Sequence, residues 1–183
     1  MKKELIKPIT KWVLYKNAIQ KIVIVGACFG IVLMVTLQIV TFLTPDPLSW
    51  QESIFFGVTI GIFLFLFLVG ICSIGPLYGI ARLIKQVASL NLSFSDEMKK
   101  NNITSTNYEN YQWFISTDWG TVLAIHRDYI NEIKKIDDPN GRNVRLIATV
   151  VKFDGNEMKI TSSYDNISRF EQWFLQAEKE KSS

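Results

Sequence analysis

Cysteine and histidine are scarce in this chain: Cys28 and Cys72 are the only thiols and His126 is the only imidazole. Both cysteines fall inside apolar runs, so the polar part of the chain can build neither a disulfide framework nor a thiolate metal site. One histidine leaves zinc sites and Cys/His or Ser/His/Asp arrangements short of members. Glycines outside the apolar runs stand alone in turn contexts, so no phosphate-cradling glycine loop is present. Asp137 and Asp138 run into Pro139-Asn140-Gly141, a turn cluster without the ligand spacing of a calcium loop. These gaps exclude the common catalytic sets. The sequence predicts a protein that is not an enzyme and holds no cofactor or metal.

Charge is missing from two long stretches. Residues 22–43 and 53–81 contain no Asp, Glu, Lys, Arg or His, and each exceeds the roughly 18 apolar residues that indicate a transmembrane helix. The link over 44–52 carries Asp46 and Glu52 but no Lys or Arg. Before the first run, Lys2, Lys3, Lys7, Lys11, Lys16 and Lys21 stand against Glu4 alone, and Arg82 and Lys85 follow the second. Lysine and arginine hold short segments on the cytoplasmic side. The expectation is a multi-pass protein of a bacterial inner membrane, with both termini cytoplasmic and the link facing outward. The basic segment 1–21, with Trp12 and Tyr15 suited to the headgroup zone, reads as contact with membrane lipids and not as a nucleic-acid arm. Val25-Gly26-Ala27-Cys28 has the form of a lipoprotein processing box, but the apolar run continues far past Cys28, which argues against cleavage and lipidation.

Glycine recurs within these runs at a spacing of four: Gly26 and Gly30 in the first, Gly57 and Gly61 in the second, then Gly75 and Gly79 around Pro76. Such pairs let helix backbones approach closely in lipid, so all six are candidates for helix–helix packing within the hairpin or in a homo-oligomer. Thr36, Gln38, Thr41, Thr59 and Ser73 are the notable polar groups, and no Asp, Glu, Lys, Arg or His lies at membrane depth, which disfavours an ion or proton pathway. Pro76 should kink the second helix. Leu77, Ile80, Ala81, Ile84, Val87 and Ala88 then continue as an amphipathic stem to about Leu90, closing a hairpin region over 22–90. Residues 91–107 read as a linker with at most a short helix.

The segment 108–183 has the pattern of a small α+β domain. Tyr111, Trp113 and Ile115 alternate with Gln112, Phe114 and Ser116, Thr121–His126 follows a turn, and 144–153 and 157–162 are strands around the hairpin signal Asp154-Gly155. Residues 129–136 are ambiguous, because Ile130, Ile133 and Ile136 recur every three positions. A helix over about 166–181, capped by Asp165 or Ser168, presents Ile167, Phe170, Phe174 and Ala177 on one side. The expected fold is a two-helix membrane hairpin plus a cytosolic α+β domain, in which one antiparallel sheet of four or five strands is closed by the C-terminal helix.

Short strands followed by a closing amphipathic helix with Phe170 and Trp173-Phe174 resemble the PH-like domains of bacterial two-span membrane proteins. That resemblance implies a binding or assembly module and carries over no catalytic residue. Trp113 and Trp119 are the candidates for an exposed partner-docking patch. Lys134, Lys135, Arg142 and Arg145 could form a basic edge facing lipid headgroups. The sequence thus predicts a non-enzymatic membrane protein whose cytosolic domain binds or assembles a membrane protein partner, and no nucleic acid. The alternative is an immunity-type self-protection protein acting through its glycine-bearing spans.

Overall fold

The computed structural model describes residues 8–43, 50–118, 120–139, 141 and 144–182. They fall into two compact units, Ile19–Ile74 on one hand and Met1–Ala18 with Gly75–Ser183 on the other.

The apolar unit consists of the long parts of helices α1 (Lys11–Phe42) and α2 (Trp50–Ser89), each long and apolar enough to cross a membrane. Their contacts run in opposite directions along the sequence. Gly26 faces the Phe65 ring, Gly30 faces the Gly61 carbonyl, and Gly57 faces Met34. Gly26, Gly30, Gly57 and Gly61 thus lie on the facing sides of the two helices. A Cβ placed at Gly30 would lie 4.0 Å from the Gly61 oxygen, an ordinary contact, so the crossing tolerates alanine but not a bulky side chain. The outer faces are apolar and open, as with Phe55 and Phe63. Hydroxyls on these helices donate to their own backbone: Thr36 to the Val32 carbonyl at 2.9 Å and Thr59 to the Phe55 carbonyl at 2.8 Å.

In the α+β unit, Thr10 caps α1, its hydroxyl accepting from the Val13 N–H at 3.2 Å. At the other end of the stem, α2 stops at Asn91, which takes the left-handed conformation (φ 53°) while the Leu92 N–H donates to the Val87 carbonyl at 2.8 Å. Helix α3 (Phe94–Lys100) is capped by Ser93 and stops in the same way, with Asn102 at φ 52° and the Ile103 N–H donating to the Met98 carbonyl at 2.9 Å. Both are Schellman stops, which favour Asn or Gly at the left-handed position and an apolar residue just after it. The polar segment expected as a linker is thus a pair of helix stops around a short helix whose Phe94 and Met98 are buried.

Among the described residues six strands form two three-stranded antiparallel sheets, not one. The first orders β1 (Tyr108–Glu109), β2 (Trp113–Asp118) and β3 (Thr121–His126). A 3-10 turn over Arg127–Tyr129 leads to the second, β4 (Ile130–Asp137), β5 (Arg145–Lys152) and β6 (Glu157–Ser163). Helix α4 (Tyr164–Ser182) begins a turn before Ser168, and its Ile167, Phe170, Trp173 and Phe174 pack against strands of both sheets instead of closing one. Two register shifts in β4 explain the isoleucines at spacing three. Each bulge inserts one residue, so Ile130, Ile133 and Ile136 oppose Lys152, Val150 and Ala148 and share one face.

The first sheet is covered on both sides, which is why Trp113, Phe114, Ile115 and Ser116 are all buried. Phe114, Leu123 and Ile125 join the core shared with the second sheet and α4. Trp113, Ile115, Val122 and Ala124 join a second core with Ile9, Leu14, Ala18, Leu83, Val87, Phe94, Met98 and Ile103. Residues 8–18 are therefore part of the folded unit and not a free tail, although Trp12 itself is 67% exposed.

Candidate functional site

Two of the glycines expected to pack helix on helix meet a strand instead. Gly75 and Gly79 lie under the first residues of β3: a Cβ at Gly75 would collide with the Gly120 carbonyl, and one at Gly79 would lie 2.9 Å from Val122 Cβ and well inside the contact distance of the Val122 carbonyl. Only glycine lets these backbones approach so closely. The approach seats β3 on the stem of α2 and leaves a cleft of about 370 Å³ beside it, within the α+β unit.

Its walls come from several elements: Tyr78 and Arg82 of α2, the chain from Gly120 to Leu123, Arg145 of β5, and Lys159 and Thr161 of β6. Tyr78 and Arg82 are one helical turn apart, and the guanidinium sits over the phenol ring at 5.2 Å. Arg82 Nη2 also donates to the Lys159 carbonyl at 3.4 Å, tying the stem to β6. Pairing of Ile147 with Thr161 and of Thr149 with Lys159 puts Arg145, Lys159 and Thr161 on the sheet face opposite the core residues Leu146, Ala148 and Ile160.

The cleft gathers two guanidinium groups and one ammonium, and among the described residues no carboxylate lines it. Elsewhere on the unit, among the described residues, five cations meet acids: Arg127 with Glu178, Lys134 with Glu157, Lys135 with Asp137, Lys152 with Asp154 and Arg169 with Glu109; surface lysines such as Lys85, Lys99 and Lys100 do not. Arg82, Arg145 and Lys159 form no ion pair among the described residues. The acid of β6, Glu157, is hydrogen-bonded to Lys134; that bond, then the Lys134 charge, with smaller contributions from Lys135 and Lys159, holds its carboxyl below the ordinary range. The cleft is therefore a focus of positive charge that suits an anion. Among the described residues no three His, Cys, Asp or Glu side chains converge on a point where a metal could sit.

The residues singled out from sequence are distributed differently. Trp113 is fully buried, edge-on to Phe94 and to His126 at 4.9 Å between ring centres, so it belongs to the core and does not form a docking surface. Trp119 and Arg142 lie outside the described residues. Lys134 and Lys135 are paired with acids, and of the expected basic edge only Arg145 reaches the cleft. His126 caps the turn after β3, its Nδ1 accepting from the Asp128 N–H at 3.2 Å. Its burial pushes the imidazole below its ordinary pKa, against the opposing charges of Asp128 and Glu97. Tyr78, Arg82, Lys159 and Thr161 were not sequence candidates. The one local signal was the tyrosine–arginine pair one turn apart on the stem.

A second polar cluster is internal. Asn166, at the start of α4, lies 2.7 Å from the Ser116 hydroxyl through its Oδ1, and its Nδ2 donates to Ser162 at 3.2 Å and reaches Asp118 at 3.5 Å. Asn107 accepts from the Thr117 N–H at 3.1 Å and lies 3.2 Å from the same Ser116 hydroxyl. The network ties β2 to β6 and α4, a structural role with no access for a ligand at Ser116, Ser162 or Asn166, all buried.

Compared with known protein families, with curated proteins and with solved structures, the chain finds no match in any of the three.

Proposed function

We propose that the chain is a two-span protein of a bacterial inner membrane, with both termini cytoplasmic, whose α+β unit is a non-catalytic module binding a membrane-associated partner. The reading rests above all on the cleft, where three cations that form no ion pair among the described residues surround an opening on the stem of α2. Arg82 is the first charged residue after the uncharged run 53–81. A binding surface there would serve partners held at the membrane face.

The anchoring half of the reading draws on the open apolar faces of α1 and α2 and on hydroxyls satisfied by their own helix backbone, as lipid requires. The module half draws on six short strands followed by an amphipathic helix, the element order of the PH-like domains that the sequence resembles. Gly26, Gly30, Gly57 and Gly61 are occupied within the hairpin, which gives the self-protection alternative no free glycine face.

The test places a photo-crosslinking amino acid at Thr161, inside the cleft, in the full-length protein in native membranes. Gln172, exposed on α4, serves as the reference position. A discrete adduct from position 161 and none from 172 is the expected outcome. Equal or absent crosslinking at both would remove the cleft as the binding surface.

A further inference from the structure

We propose that the cleft holds a phosphate monoester group, borne either on a lipid headgroup or on a small soluble ester. The inference deepens the binding-module reading of the same cleft. A phosphate monoester carries close to two negative charges and three acceptor oxygens at neutral pH. Arg82, Arg145 and Lys159 bring three cationic donor groups to the opening from three separate elements, and Thr121 and Thr161 add hydroxyls at its rim. Charge-assisted hydrogen bonds of guanidinium and ammonium to phosphate are the strong member of the hydrogen-bond class.

Pre-organisation supports the assignment. Arg82 is held in place by the Tyr78 ring and the Lys159 carbonyl, neither of which neutralises it. One of its five N–H donors is directed at Lys159, and a phosphate can take two of the others in a bidentate fork. The backbone carbonyls that would repel an anion, those of Gly120 and Val122, are turned onto Gly75 and Gly79 and covered by the helix. The glycine stripe thus sets aside the wrong polarity and leaves the donors at the opening. A diester with a single charge would answer only part of this cation set.

The experiment uses the full-length protein in nanodiscs of phosphatidylcholine, doped with phosphatidic acid in one series and with phosphatidylglycerol at matched total charge in another, and reads the thermal unfolding midpoint. A third series titrates glycerol phosphate into phosphatidylcholine nanodiscs. The expected result is a rise in midpoint with phosphatidic acid, with glycerol phosphate, or with both, because a ligand bound only to the folded state stabilises it. Phosphatidic acid alone acting identifies a lipid source; glycerol phosphate acting identifies a soluble one. Arg145→Gln with Lys159→Gln removes two charge-assisted bonds and should weaken the response about tenfold or more in ligand concentration. Both side chains are exposed, so this pair keeps the test valid even if Arg82→Gln fails to fold. Lys100→Gln, exposed on α3 and outside the cleft, should leave the response unchanged.

No midpoint shift with either phosphate probe, a shift untouched by the paired substitution, or an equal shift with phosphatidylglycerol would overturn the assignment. The Thr161 crosslink separates the two levels. A protein adduct without any phosphate response overturns the phosphate site alone, and loss of both overturns the module reading as well.

Discussion

Replacing Gly79 by alanine should destabilise the α+β unit, against the usual sign for a helix. In an exposed helix interior this exchange stabilises by about 1 kcal/mol, because alanine has less backbone entropy to lose. Gly79 is buried under β3, and its new methyl would lie 2.9 Å from Val122 Cβ and 3.1 Å from the Val122 carbonyl carbon. Backbone cannot swing aside as a flexible side chain can, so helix and strand must separate. Overpacking of this kind costs about 1–3 kcal/mol and a backbone clash belongs at the upper end. Set against the propensity gain, the net loss is roughly 1–2 kcal/mol, or several degrees of unfolding midpoint. The assay is thermal unfolding of the full-length protein in detergent, followed by tryptophan fluorescence, to which buried Trp113 and Trp173 report on this unit. Gly70→Ala, where nothing lies within 4 Å of the new methyl, provides the reference. Gly75→Ala should cost at least as much as Gly79→Ala, since the Gly120 carbonyl stands closer still. A Gly79→Ala protein that melts at or above the wild-type midpoint would refute the reasoning and release β3 from the stem.

Further outcomes follow from the same packing. Leu14→Ala, in the first turns of α1, should cost about 2–5 kcal/mol in the same unfolding assay, because Leu14 is fully buried with Trp113 and Met98; a free N-terminal tail would show no loss. Asn166→Ala should cost about 1–3 kcal/mol by taking a partner from the buried Ser162 hydroxyl and leaving the Ser116 hydroxyl only its longer bond to Asn107, with an unchanged midpoint as the contrary result. Burial lowers the His126 pKa, so the unfolded chain takes up its proton near pH 6.5 while the folded chain still resists. Stability should therefore fall as pH drops below about 6.5, and unfolding midpoints between pH 7.5 and 5 should lose that part of the slope in His126→Gln.

Much of the fold was legible because its signals are local. The missing charge marked both apolar helices, alternation marked β2, Asp154-Gly155 marked the turn between β5 and β6, and one apolar stripe marked α4. The failures have physical reasons. Isoleucines at spacing three obscured β4, since two bulges give a strand a helix-like period. Asn91 and Asn102 read as linker residues, whereas each ends a helix in a left-handed conformation. Trp113 sits on a strand covered on both sides, so aromatic content could not distinguish core from docking face. Gly75 and Gly79 have the spacing of a helix–helix contact, and nothing in that spacing reveals that the partner is a strand. The cleft was the least legible feature. Arg82, Arg145 and Lys159 are far apart in sequence, and only the stacking of the stem against two sheets brings them to one opening.

The claim on which the rest depends is that the chain spans the membrane twice and holds the cleft on the cytoplasmic side. With Cys28 and Cys72 replaced by alanine and a single cysteine placed at Thr161, a membrane-impermeant maleimide should leave intact cells unlabelled and react fully with inside-out vesicles. Labelling of intact cells would put the α+β unit outside and contradict the account.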